Sequence, residues 1–377
     1  EQNDLPMAWK VRHVTLKIPL AAFTFAWFWK GCNTADSGVK CLGDALDRPN
    51  GAGKTTILDA VHLLGTGKSF TTSQSLKAIQ EGCSGFRVVG RLRFGGSETV
   101  VGLSRLRGGG GETRLAGGQV KTLSTLAREL PIVLLNTDTL NVLREGPEAR
   151  RRLIDQVVFH VEQSYGGIWQ RYSHALKQRN ALLRRGISDD KAWISELAAL
   201  GEELHAARAR AASLLSEALS SVITAMNLRL PAVRLSLSSG WKQGLSLAEA
   251  LEVGRVGDLH RGYTQIGPHR GDLHCHVGGV LAQDGLSRGQ MKVLMSAVRI
   301  AQGRVLAEAT RRPPVFLLDD VGSELDPAGA EAIFSLLAAS GSQVLGTAVF
   351  SGDIPTWVGD GGCRMFHVEQ GMIIDAN

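Results

Sequence analysis

Cysteine is scarce in this chain and never paired. The five copies, Cys32, Cys41, Cys83, Cys275 and Cys363, are odd in number and contain no C-x-x-C spacing. That excludes a zinc ribbon or a disulfide framework and makes a reducing cytoplasm the expected setting. Membrane-length apolar runs are missing as well. The stretch Ile18 to Trp29 has 12 residues, whereas a helix needs about 20 to span a bilayer, so no membrane partner is expected. A large charge excess is also absent. The net +6 and the pI near 9.2 favour a polyanionic partner only mildly. With 44% hydrophobic and 21% charged residues, the 377-residue chain has room for one large α/β domain and a smaller one.

What is present centres on Asn50-Gly51-Ala52-Gly53-Lys54-Thr55-Thr56, followed at once by the apolar helical run Ile57 to Leu64. This reads as the second half of a Walker A phosphate loop opening a helix. Glycines let backbone N–H groups close around phosphate oxygens. Lys54 suits the β and γ phosphates, Thr55 suits Mg²⁺, and the helix N-terminus adds partial positive charge. Two features depart from the pattern. Arg48 stands where a glycine is required, and the approach, residues 35–47, is polar and lacks the period of a buried strand.

Along the chain, residues 1–6 read as a leader before a start at Met7, and Trp9 to Lys17 alternates as a first strand. The apolar run from Ile18 resembles a signal-peptide core behind a basic start. A shifted reading frame over about residues 18–48 explains the absent strand and Arg48 together, and is the preferred reading. Strands are expected at Phe86–Phe94, Thr99–Leu103 and Leu130–Leu135, with glycine turns at Gly108–Gly111 and Gly117–Gly118. From about 148 to 228 the pattern is helical. Trp193, Leu197, Leu200, Leu204, Ala207, Ala211, Leu214, Ala218 and Val222 recur at intervals of 3 and 4, as in a coiled-coil seam. Ile168, Tyr172, Leu176 and Leu183 offer a partner face across a turn near Gly186–Asp189. Two ordinary packed helices would give nearly the same spacing. Strands resume at Val233–Leu237, and a helix is expected from Met291 to about Ala307.

Pro314-Val315-Phe316-Leu317-Leu318-Asp319-Asp320 has the form of a Walker B strand. Its end can deliver Asp319 to Mg²⁺ beside Thr55, with Asp320 placed to orient a water. Two acids after a strand can also cap a helix. Leu286-Ser287-Arg288-Gly289-Gln290 starts a helix with groups able to donate to a phosphate. Gln290 precedes Asp319 by 29 residues, and Ser323-Glu324-Leu325-Asp326 follows.

Together these residues resemble the ATP-binding-cassette ATPases. The 233 residues between Lys54 and Ser287 and the short helical insert are similar to the RecF family of bacterial recombination mediators. Its marks here are Gly146 to Asp155, Lys177-Gln178-Arg179-Asn180, Gly267-Pro268-His269-Arg270, Leu286 to Gln290 and Leu318-Asp319-Asp320. Gly271 stands where that family usually has an acid. The resemblance implies an α/β fold, an ATP-binding-cassette (SMC-like) ATPase head with an inserted α-helical arm domain. The head's N-terminal half would be residues 7–135, the arm 136–230, and the C-terminal half 231–377.

It further implies a site for ATP and Mg²⁺. Arg48, Pro49, Asn50, Gly51, Ala52, Gly53, Lys54, Thr55, Thr56, Ser287, Gly289, Gln290 and Asp326 would line the nucleotide. Thr55 and Asp319 would hold the metal, and Asp320 would be catalytic. The implied activity is a weak, DNA-stimulated ATPase in a cytoplasmic protein whose dimer is held by ATP. It would bind double-stranded and gapped DNA in recombinational repair, the SOS response and replication restart, with RecR and RecO as partners and RecA loading as the outcome. Arg150, Arg151, Arg152, Arg171, Lys177, Arg179, Arg184 and Arg185 concentrate basic charge suited to phosphates. Several could instead pair with Glu196, Glu202 and Glu203, and Arg151 and Arg152, inside a family motif beside Asp155, read as structural rather than DNA-contacting. Two other readings stay open, a non-hydrolysing DNA-binding scaffold and a transporter ATPase subunit.

Overall fold

The computed structural model describes residues 24–30, 54–79, 83–94, 97–120, 122–227, 230–348, 363–369 and 372–376. In chain order the elements begin with strand β1 (Thr24–Lys30), helix α1 (Lys54–Thr66) and strands β2 (Gly85–Phe94), β3 (Ser97–Leu106), β4 (Thr113–Leu115) and β5 (Gly118–Gln119). Then come α2 (Leu123–Glu129), β6 (Ile132–Leu135), α3 (Thr137–Leu140), α4 (Pro147–Val161), α5 (Tyr165–Arg184) and α6 (Lys191–Ala225). Next are β7 (Val233–Ser238), α7 (Leu247–Arg261), β8 (Asp272–Val277), β9 (Val280–Leu281), α8 (Ala282–Gly285) and α9 (Arg288–Thr310). The last are β10 (Val315–Asp319), α10 (Val321–Glu324), α11 (Pro327–Ala339), β11 (Gln343–Ala348), β12 (Cys363–Glu369) and β13 (Met372–Ala376). They form two compact units, one of residues up to Thr139 and from Leu306 onward, the other Leu140–Val305.

In the first unit a six-stranded sheet has the order β13-β12-β1-β11-β10-β6, and β2 to β5 form a separate antiparallel meander. β10 lies parallel to both β11 and β6. That placement explains its unbroken Val-Phe-Leu-Leu run, because a parallel strand covered on both faces has no polar side to show. Helix α1 presents Ile57, Leu58, Val61 and Leu64, at positions i, i+1, i+4 and i+7, to one core shared with Val88, Leu317 and Leu345. Each such side chain fully buried contributes about 1.5–3 kcal/mol. The helix stops at Gly67, whose φ of +71° permits the left-handed cap and whose N–H reaches the Leu63 carbonyl at 2.8 Å.

β1 departs from expectation. The polar approach at 35–47 and the first strand expected at 9–17 lie outside the described residues. The sheet position is instead taken by Thr24–Lys30, part of the apolar run not read as a strand. Its Phe-Ala-Trp-Phe-Trp sequence is rich in the aromatics that suit strands. β1 is antiparallel to both neighbours, pairing Phe25 with Ala348 and Lys30 with Gln343. Its C-terminal end therefore emerges at the edge opposite Asp319. In a strand–phosphate-loop–helix unit the strand runs directly into the loop, and β1 does not.

The second unit packs α4, α5, α6 and α7 with the small antiparallel sheet β7-β8-β9. The seam expected along α6 needs correction. Leu197, Leu200, Leu204, Ala207, Ala211 and Val222 are buried as expected, but Leu214 is 39% exposed, and Leu215 and Leu219 are buried in place of Leu214 and Ala218. A strict 3.5-residue repeat drifts about 20° per heptad around a helix of 3.6 residues per turn. By the third heptad the stripe has moved one residue on. Ala198, Gly201 and Arg208 are buried on further faces, because α6 meets α4, α7 and β7 as well as α5. A Cβ at Gly201 would sit 2.3 Å from Leu247. This is ordinary helix packing and no coiled coil.

Candidate nucleotide site

The residues from Arg48 to Gly53 lie outside the described part. Lys54 opens α1, and its Nζ donates to the Ala348 carbonyl at 3.2 Å and lies 3.6 Å from Asp320 Oδ1. Thr55 Oγ1 donates to Asp319 Oδ1 at 3.1 Å. Sequence positions 264 apart are thus joined where α1 begins and β10 ends. Thr56 follows, half-buried, in the first turn of α1.

A residue the sequence did not single out completes this corner. Thr347, on β11 beside Asp319 in the parallel register, donates its hydroxyl to Asp319 Oδ1 at 2.8 Å and accepts the Asp320 N–H at 3.1 Å. Asp320 is left-handed, with φ +53°, a conformation costing a non-glycine residue roughly 1–2 kcal/mol. The bond from its N–H to Thr347 helps to hold it. Burial pushes the Asp319 carboxyl above the usual carboxylate range, and the neighbouring Asp320 adds to this. Hydrogen bonds from Thr347 and Thr55, and the nearby Lys54, oppose it.

These residues fit MgATP chemically. Thr55 and Asp319 converge as hard oxygen donors of the kind Mg²⁺ prefers. Asp320 Oδ1 is shielded from solvent, accepts no hydrogen bond among the described residues and faces the Lys54 ammonium at 3.6 Å. Thr137 Oγ1 donates to Glu324 Oε1 at 2.7 Å, and Asn136 and Thr139 bond each other through side chain and backbone. Asp326 takes a capping position, its carboxylate accepting the Gly329 N–H at 2.6 Å with Pro327 next in α11.

Ser287, Gly289 and Gln290 belong to the second unit. The Ser287 N–H donates to Gln290 Oε1 at 3.0 Å, and the Gln290 N–H donates to Ser287 Oγ at 3.2 Å. This reciprocal box starts α9. A Cβ at Gly289 would meet nothing within 4 Å, so the first turn is open to an approaching group.

The arginines of the helical region are mostly committed inside the second unit. Arg150 grips Asp272 with two bonds, at 2.8 and 2.7 Å. Arg151 donates to the Gly271 carbonyl at 2.8 Å, and Arg171 reaches Glu196 at 3.1 Å. Arg179, fully buried, bonds Asp190, Asp258 and Thr264. Arg208 holds Asp155 in a two-pronged pair and donates to the Pro268 carbonyl at 2.6 Å. Glu202 accepts the Leu247 N–H and pairs with no arginine among the described residues. Lys177, Arg184 and Arg185 remain exposed. His269 Nδ1 lies 2.7 Å from the Tyr172 hydroxyl and Nε2 lies 3.1 Å from the Thr264 carbonyl. Nε2–H therefore donates to the carbonyl, and Nδ1 accepts from the tyrosine.

Residues 44–373 match the model for the RecF/RecN/SMC N terminal domain. The DNA replication and repair protein RecF of Shewanella baltica (strain OS155 / ATCC BAA-1091) is 38% identical over 328 residues, covering 86% of this chain and 90% of the relative. The protein of the same description from Shewanella woodyi is 36% identical over 326 residues, covering 86% and 89%. A solved structure of the recombination mediator protein RecF-ATP in the RecFOR pathway superposes with a TM-score of 0.76 at 21% identity. It covers 95% of this chain and 99% of that one.

Proposed function

The chain belongs to the RecF family and has the SMC-like ATPase head fold, and on that premise we propose that it is a DNA replication and repair protein that binds DNA under the control of ATP. The observation that carries the nucleotide part is the convergence of Lys54, Thr55, Asp319 and Asp320 at one sheet edge. Lys54 would bind the β and γ phosphates, Thr55 and Asp319 would hold Mg²⁺, and Asp320 would orient the attacking water and take its proton. The bound metal would supply charge neutralisation at the phosphates. Thr347 keeps Asp319 and Asp320 aimed at that place. Ser287, Gly289 and Gln290 would present the open first turn of α9 to nucleotide held by a second copy, and Asp326 would also line the nucleotide. The functional division into head halves 7–135 and 231–377 and an arm 136–230 belongs to this reading.

The substrate follows from the family: double-stranded DNA, with gaps as the working site, in recombinational repair and replication restart. RecO and RecR are the proposed partners, RecA loading the outcome, and the cytoplasm the place of action. The length of the insert between Lys54 and Ser287 and its helical character disfavour the transporter reading. A second reading, a DNA-binding scaffold without nucleotide, draws support from Arg48 and from the antiparallel β1.

The test is binding of a labelled gapped duplex and of MgATP by the parent and by Lys54→Ala. The parent should bind both ligands, with duplex retention strengthened by MgATP, and the variant should bind duplex alone. Equal MgATP binding by the two would remove Lys54 from the site. Duplex binding without any nucleotide binding would establish the scaffold reading, and no duplex binding would end both.

A further inference from the structure

Between Cys83 and Gln119 lie six arginines and two glutamates and no lysine or aspartate, so 37 residues carry +4 of the chain's formal +6. This stretch is the antiparallel meander β2 to β5 of the first unit. Glu98 ties down Arg91 and Arg93, each at 2.8 Å, and Glu112 holds Arg114 at 3.0 Å. Arg87 and Arg105 have no carboxylate partner among the described residues. The pairing of Arg87 with Ser104 and of Phe86 with Arg105 sets both arginines at the same end of the sheet, on its two faces.

That end closes in the turn from Leu106 to Gly111, beside a recess of about 440 Å³ bordered by Ile79, Arg105, Leu106, Arg107 and Gly108 to Gly110. Arg107 pins the turn, donating to the carbonyls of Cys83 at 2.9 Å and Ile79 at 3.1 Å. Gly109 and Gly110 have φ of +91° and +84°, which accounts for glycine there. Gly108 has no positive φ, and a Cβ on it would meet nothing within 4 Å. Neither strain nor crowding requires its glycine. A bare backbone facing a recess walled by two guanidinium groups is the arrangement that admits a phosphate closely.

We infer that this hairpin end is a second contact for the sugar–phosphate backbone of nucleic acid, built from Arg105, Arg107 and the Gly108–Gly110 backbone. The inference rests on the DNA-binding reading and adds a place on the meander to it. The groups offered are guanidinium and backbone donors, which suit phosphate oxygens. Such a contact fixes position without reading sequence. An acidic peptide is disfavoured because only Leu106 and Ile79 offer it apolar surface.

The test uses the full chain and a labelled gapped duplex over a range of salt. Arg105→Ala should lower the slope of log affinity against log salt by about 0.9, one phosphate contact. Gly108→Glu, which needs no backbone change, should weaken binding by roughly tenfold at low salt through a charge facing the phosphates. Thermal unfolding and MgATP binding should match the parent in both. If the parent binds duplex and both variants keep its slope and affinity, the site is refuted while DNA binding stands, and this includes the case where an acidic peptide binds there instead. If the parent binds no duplex, the underlying reading has failed first.

Discussion

Thr347 Oγ1 donates to Asp319 Oδ1 at 2.8 Å while accepting the N–H of Asp320. A single buried hydroxyl thus fixes the metal-facing carboxylate and the backbone of the left-handed residue after it. Thr347→Val keeps the shape and removes the hydroxyl, leaving the Asp320 N–H without its partner at a cost of about 1–3 kcal/mol. Nucleotide binding titrated against Mg²⁺ should need roughly tenfold more metal in Thr347→Val and stay near the parent in Thr347→Ser. Equal metal dependence in all three proteins would show that Asp319 is positioned by other contacts.

The second unit depends on a buried charge network. Arg179 is fully buried between Asp190 and Asp258, and Arg255 reaches Asp190 from a partly exposed position at 2.8 Å. Removing the central cation strands two carboxylates, so Arg179→Met should cost about 3–5 kcal/mol in urea unfolding. Adding Asp258→Asn should return part of that loss. A loss below about 1 kcal/mol would mean that the aspartates are solvated or neutral when the chain is folded.

Acid should weaken the fold through two histidines. Burial pushes both His269 and His160 down to about 4, against about 6.5 in an unfolded chain. Both are therefore neutral when folded. Between about pH 6.5 and 4 the unfolded chain binds more protons, so stability is complete above that window and falls as pH drops through it. By pH 5 the loss is about 2 kcal/mol per histidine. His269→Gln with His160→Leu should flatten the melting temperature between pH 7 and 5 relative to the parent. A parallel decline in both proteins would assign the acid sensitivity to other groups.

Much of the fold was legible because its signals are local. The Val315–Leu318 run reads as an apolar strand from its composition alone, and the glycines of the meander mark their own turns. Thr55 and Asp319 could be paired because their motifs state their chemistry. Thr347 could not, since a threonine at a strand end looks the same whether it bonds a metal-facing carboxylate or water. The arginines misled for a related reason. Sequence displays the charge of Arg150 but not Asp272, 122 positions away, which neutralises it. β1 escaped because its aromatic run has no alternation to set it apart from a membrane or signal segment. The seam on α6 slipped because a heptad count assumes a supercoil that a helix packed against several neighbours does not form.

Nucleotide held by Lys54 and Asp319 is proposed to join two copies through Ser287, which sedimentation with and without MgATP would reveal. A nucleotide shared across a two-fold interface links dimerisation to its concentration. The parent should sediment as a monomer without nucleotide and as a dimer with MgATP. Ser287→Arg, which crowds the open turn of α9 and leaves Lys54 and Asp319 untouched, should bind MgATP as a monomer. A dimer equally stable without nucleotide, or an undiminished Ser287→Arg dimer, would contradict the account.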